Sequence, residues 1–228
     1  MTKALKYKQA PYGTSIPCYS VSTVQNPSNE ILCECAALFS ANYGTWAHNQ
    51  KRIRLSAARL QNEYLFDSDK CRLYVARIPN GTIVGYAIGC HFNIGCHFRG
   101  RRVDWITQLV VDAKYRSKGI AKCLCRHALS LESFACGIVS SHPHAVRALE
   151  SATMRSCDIG LAREYFRELV EQSGIPYVQG KRFVEPALID TGFGVDHTEL
   201  QNLYGTSWSL GEILGGHEYF AFTRRIEK

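Results

Sequence analysis

Residues 106–124 read ITQLVVDAKYRSKGIAKCL. Ile106 to Asp112 is apolar and β-branched around a single polar break, so it reads as the end of a strand covering 103–112. From residue 118 the period changes. Ile120, Leu124, His127, Ala128 and Leu131 fall on one face of a helix expected over 118–134. Between strand and helix lies Arg116-x-x-Gly119-x-Ala121. A strand that delivers a small-residue turn to a helix N-terminus makes an anion site, because unpaired N–H groups point outward and the helix dipole adds positive charge. Gly119 and Ala121 leave space for a phosphate against the backbone, and Arg116, Lys118 and Lys122 surround it. The ligand this implies is a pyrophosphate. Neither Gly-x-x-x-x-Gly-Lys-Ser/Thr nor Gly-x-Gly-x-x-Gly is present, so the usual nucleotide loops are excluded.

Working outward, residues 71–78 and 82–92 read as two strands joined by a tight turn at Asn80-Gly81. A strand is expected over 16–24, a helix from Pro27-Ser28 to Tyr43, and a helix or irregular piece over 54–64. After the central unit come a strand at 136–141, a helix opened by His142-Pro143, and a helix over 159–173 capped by Asp158. Strands near 187–195 and 217–225 finish the chain. The first dozen residues are polar and are expected to be poorly ordered. The order predicts one α/β domain over residues 1–228, with a core at 16–154 and an extension at 155–228 that completes the sheet.

The chain has 228 residues, 46% of them hydrophobic and 21% charged, an ordinary globular balance. A net charge of +7 suits an anionic partner. The basic residues lack the aromatic interleaving or signature of a nucleic-acid domain, so no nucleic acid is expected. Ten cysteines without a secretory leader or metal-ligand spacing read as reduced, mostly buried thiols in a cytoplasmic protein, with no metal. The Cys33 and Cys35 pair reads as part of an apolar helix face. No apolar run reaches the ~18 residues of a membrane span.

Leu109-Val110-Val111 followed by Arg116-Ser117-Lys118-Gly119-Ile120-Ala121 resembles the signature of the GNAT superfamily of acyl-CoA-dependent N-acyltransferases. The segment IVSSHPHAVRALE at 138–150 resembles its second cofactor region, with His142 and Ala145 in the places of a polar residue and an alanine. The resemblance is good over 71–154 and weak beyond 155. It implies a mixed, mostly antiparallel sheet with two splayed parallel central strands, helices on both faces, and here an extra C-terminal helix. It implies acetyl-CoA as co-substrate, a primary amine as acceptor, and a monomer or homodimer. By the same resemblance the turn residues Arg116 to Ala121 hold the pyrophosphate, with His142 also at the cofactor. Leu109, Val110 and Val111 line the pantetheine arm, and a backbone N–H among them polarises the carbonyl.

For catalysis the resemblance leaves alternatives. The tyrosine that protonates the leaving thiolate in many relatives is replaced by Leu149. His142, His144 and Tyr165 are substitutes, and transfer without a dedicated acid is another possibility. Along the strand before the motif, period two would place Asp104, Ile106, Gln108 and Val110 on one side. That makes Asp104 a candidate base and Gln108 a candidate for orienting water or acceptor. The alternative for Asp104 is a surface carboxylate paired with Arg101 or Arg102. Arg99, Arg101 and Arg102 read as a solvated loop or a site for an acidic acceptor. Asp196-His197 reads as a helix start or a border of the acceptor pocket. A non-catalytic acyl-CoA sensor or scaffold remains the other functional reading.

Overall fold

The strand–turn–helix unit of residues 101–128 forms the centre of a nine-stranded sheet in the computed structural model, which describes residues 18–46, 48–95, 100–194, 201 and 208–225. In chain order the elements are β1 (Ser20–Val24), α1 (Asn29–Asn42), β2 (Thr45–Trp46), α2 (Ala57–Tyr64), β3 (Cys71–Arg77), β4 (Ile83–Ile94) and β5 (Arg101–Val111). Then follow α3 (Ile120–Ala128), β6 (Ala135–Ser140), α4 (Pro143–Thr153), α5 (Ile159–Gln172), β7 (Phe183–Val184), β8 (Leu188–Gly194) and β9 (Gly216–Arg224). Strands lie in the order β1-β3-β4-β5-β6-β9-β8-β2, with β7 paired to β8. Among the described strands only β5 and β6 run parallel. This is the α/β architecture expected, a mixed sheet with helices on both faces.

Local chemistry explains the ends of the helices. Ser28, Ser56 and Asp158 accept N–H groups at the starts of α1, α2 and α5. The β3–β4 hairpin closes through Gly81 N to Ile78 O at 2.9 Å, with Gly81 at φ 89°. The third helix departs from expectation: it stops at Ala128, so Leu131 is 49% exposed and not on a helix face. Ser130 turns the chain instead, its N–H donating to Asp104 Oδ2 at 2.6 Å. The two-residue strands β2 and β7 were too short to be read in the sequence.

One face of the sheet packs against α1, α2 and α5 through Phe39, Leu60, Phe166 and Trp105. The other packs against α3 and α4 through Leu124, Cys125, Val146 and Leu149. The late strands β8 and β9 join the same sheet beside β6.

Cys35 is buried whereas Cys33 is exposed, because two residues on a helix are about 200° apart. Cys18 is also exposed, and among the described cysteines all are free thiols. Cys96 and the first 17 residues lie outside the described residues.

Candidate active site at a fork in the sheet

β5 and β6 pair from Val103↔Ala135 to Ile106↔Ile138 and no further. β5 nevertheless continues to Val111 along β4, and β6 to Ser140 along β9. The two strands therefore part like a fork. A bulge accompanies the parting: Ile88 faces Gln108 and Gly89 faces Ile106, which leaves Thr107 as the extra residue. Thr107 is fixed there, its hydroxyl reaching Tyr64 O at 3.1 Å and Ile88 O at 3.3 Å.

The bulge breaks the period-two reading of β5. Asp104 and Ile106 face α3, but Gln108 and Val110 face α1 and α2. Asp104 is fully buried away from the fork, bonded to Arg102 Nε at 2.7 Å and to Ser130 N. The structure does not bring it to the cleft. Arg101 stacks over Phe134 at 4.5 Å, so it and Arg102 serve local packing. Arg99 and Asp196-His197 lie outside the described residues.

Past the fork, the alternation of β5 decides which amides are free. Asp112 N donates to Val84 O at 3.0 Å, and Val110 lies opposite Tyr86 in the same register. The N–H groups of Leu109 and Val111 consequently point into the gap. A short 3₁₀ turn, Ala113–Tyr115, then leads to Ser117 at φ 59° and Gly119 at φ 79°. Gly119 is the N-cap of α3, with no side-chain cap. Among the described residues, no carbonyl or side chain takes the N–H groups of Gly119 to Lys122. Among the described residues other than its chain neighbours, the only atom within 4 Å of a Cβ placed at 119 would be the Tyr19 hydroxyl, at 4.0 Å, so the cradle is open. Arg116 latches the turn to α1, donating from Nε to Val111 O (3.3 Å) and from Nη2 to Asn42 O (3.1 Å). Asn42 also accepts Ala113 N at 2.8 Å.

A cleft of about 310 Å³ begins at this turn and runs through the gap. Its walls include Leu109, Val110 and Val111 on one side and Ser140, Ser141 and His142 on the other. Arg116, Ser117, Gly119, Ile120 and Ala121 floor its outer end. His142 is the N-cap of α4 and lies 5.4 Å, ring to ring, from His144, which also lines the cleft. Leu149 is buried in the core, and Tyr165 bonds to Arg224 at 2.9 Å beneath α5, so neither reaches the cleft. Lys118 turns back to Lys114 O at 3.0 Å. An uncapped helix N-terminus beside a long, mostly apolar slot fits an elongated pyrophosphate ester such as coenzyme A.

The sequence pattern of the Acetyltransferase (GNAT) family matches residues 35–148. The chain belongs to the GNAT family. Solved structures similar to this GNAT chain include an aminoglycoside acetyltransferase from an uncultured soil metagenomic sample, in complex with trehalose. That pair is 18% identical over 46% of this chain and 64% of that one, with a TM-score of 0.35. The chain thus spans less than two thirds of that protein. A ribosomal-protein-alanine N-acetyltransferase from Brucella melitensis biovar Abortus 2308 is 23% identical over 47% of this chain and 67% of that one, TM-score 0.33. A GNAT family N-acetyltransferase from Escherichia coli in complex with CoA is 15% identical over 63% and 71%, TM-score 0.41. No curated protein matches this GNAT sequence. Among the described residues no helix is long and apolar enough to cross a membrane, and no His, Cys, Asp and Glu cluster could hold a metal.

The sequence reading missed three residues at this GNAT cleft. Arg147 lines it and lies 5.4 Å from the Trp208 ring. Tyr43, at the end of α1, lines it from the other face of the sheet. Behind Tyr43 stands Glu218 of β9, 2% exposed, whose Oε1 accepts the Tyr43 hydroxyl at 2.8 Å. Burial pushes the Glu218 pKa above the usual carboxylate value, against the opposing pull of Tyr43, the Thr191 hydroxyl, the Ser141 N–H and the Lys181 charge. The signal available was a lone acid inside the apolar run HEYFAF at 217–222.

Proposed function

We propose that this GNAT protein transfers an acetyl group from acetyl-CoA to a primary amine by direct attack. The observation that carries the reading is the uncapped start of α3 opening onto a cleft that passes through the forked sheet. The N–H groups of Gly119 to Lys122 would bind the pyrophosphate, helped by the turn from Arg116 and Ser117 through Lys118 and Gly119 to Ile120 and Ala121. Leu109, Val110 and Val111 would flank the pantetheine arm. The gap-facing N–H of Leu109 or Val111 would stabilise negative charge on the carbonyl oxygen as the amine adds. His142, the N-cap of α4, and His144 line the cleft and would meet the leaving sulfur. Gln108, buried on the α1 and α2 side, would act on the acceptor only from behind the cleft wall.

Free-thiol release from acetyl-CoA in the presence of primary amines tests the reading. Amine-dependent release with one amide formed per thiol is the expected result. Tight CoA binding with no release for any amine would leave the acyl-CoA sensor reading instead, which the burial of Leu149 at the usual acid position favours.

A further inference from the structure

On the side of the fork that faces α1 and α2, several polar groups are buried together. Glu218 accepts from Tyr43, and among the described residues it makes no ion pair. Gln108 is buried with its Oε1 lacking a hydrogen-bond partner. Tyr64 and Tyr177 lie 5.4 Å apart, and Trp105 donates its indole N–H to the Tyr177 hydroxyl at 2.9 Å. A carboxyl held out of water without a cation is a costly arrangement, and such groups mark functional sites.

We propose that the acceptor meets the cleft at Tyr43, that it is a protonated primary amine with no neighbouring carboxylate, and that Tyr43 and Glu218 together remove its proton. The proposal rests on the acetyltransferase reading above and assigns its acceptor class and proton route. The Tyr43 hydroxyl oxygen at the cleft wall, backed by the Glu218 carboxyl, suits an ammonium group. A carboxylate next to that nitrogen would be repelled by Glu218 in a site of low dielectric.

Tyr43 is the group that touches the acceptor, because it lines the cleft while Glu218 lies behind it. The ammonium gives one proton to Tyr43 Oη as the tyrosine's own proton passes to Glu218. The neutral nitrogen then bonds to the carbonyl carbon, the carbon–sulfur bond breaks, and the second nitrogen proton goes to the departing thiolate. Glu218 returns its proton to solvent after the products leave, so the products are an amide, a free thiol and one proton. Glu218 is a positioning residue in this scheme, since it acts through Tyr43. The groups facing the pair are Thr191 from β8, the Ser141 N–H after β6, Lys181 after α5, and Tyr64 and Tyr177 beside the Tyr43 ring.

The test uses the full chain with acetyl-CoA and n-butylamine, tyramine, spermidine or glycine, read by thiol release from pH 6 to pH 10. Glycine should be the poorest acceptor by at least about tenfold. Tyr43→Phe and Glu218→Gln should each lower kcat/KM about 100-fold, with the CoA dissociation constant held within about twofold. The acid-side limb of the wild-type pH profile should vanish in Glu218→Gln, and Glu218→Asp should recover part of the rate. If Glu218→Gln does not fold, as loss of CoA binding would reveal, Tyr43→Phe decides alone. Wild-type rate and pH profile in Tyr43→Phe would overturn the proposal and leave the acetyltransferase reading standing. Wild-type protein that binds CoA yet acetylates none of these amines would overturn both.

Discussion

Trp105 of β5 lies over Gly137 of β6 so closely that a Cβ at position 137 would come within 2.1 Å of the indole ring. The two residues are register partners in the last parallel stretch before the fork opens. The indole also packs 5.2 Å from the Phe220 ring and reaches Tyr177. Gly137→Ala should therefore force Trp105 off its seat and cost about 1–3 kcal/mol. Urea unfolding measures it, and a midpoint equal to wild type would show that the indole has room to move.

Gly119 supplies both a positive φ and an open cradle. Gly119→Asp keeps the fold, since aspartate tolerates this backbone region better than most residues and suits a helix N-cap. Its carboxylate would occupy the anion position, so CoA affinity should fall by more than about 100-fold. Calorimetry showing unchanged affinity would remove the pyrophosphate from this turn.

Asp104 is expected to act on stability rather than on chemistry. Its two oxygens hold Arg102 and the Ser130 N–H that ends α3. Asp104→Asn should cost about 1.5–3 kcal/mol while leaving the pH–rate profile in place. A shifted profile would return Asp104 to the reaction.

Burial pushes Cys35, Cys125 and Cys136 up to about 12 from an ordinary 9.0. Above pH 9 these thiols ionise in the unfolded chain but stay protonated in the folded one. The unfolded state then binds fewer protons, so stability falls as pH rises from 9 towards 12, by about 1.4 kcal/mol per pH unit per thiol. Buried Tyr64, also raised to about 12 by burial, adds to the fall above pH 10. Urea midpoints at pH 8, 9 and 10 should decline, and a flat series would contradict the burial of these groups. At pH 8 the exposed Cys18 and Cys33 should alkylate first, by peptide mapping.

The cofactor half of the site was legible because it is local. Gly119, the strand before it and the helix after it all lie within residues 101–128, and their chemistry needs only backbone and one helix end. The proposed acceptor side was not legible. Tyr43 and Glu218 are 175 residues apart and meet only because β9 inserts beside β6. Period two also failed within β5, since a bulge at Thr107 changes the facing of every residue beyond it. No residue type announces such a bulge.

Sequence by itself determined the strand–turn–helix unit, the hairpin before it, and the α/β order of the chain, because each follows from short-range periodicity, turn chemistry and capping. Tertiary structure alone decided that β5 and β6 part after Ile106, that Asp104 is buried away from the gap, and that Glu218 stands behind Tyr43 at its edge. Those outcomes depend on which strands become neighbours and where their pairing stops, and strand pairing joins residues far apart in the chain.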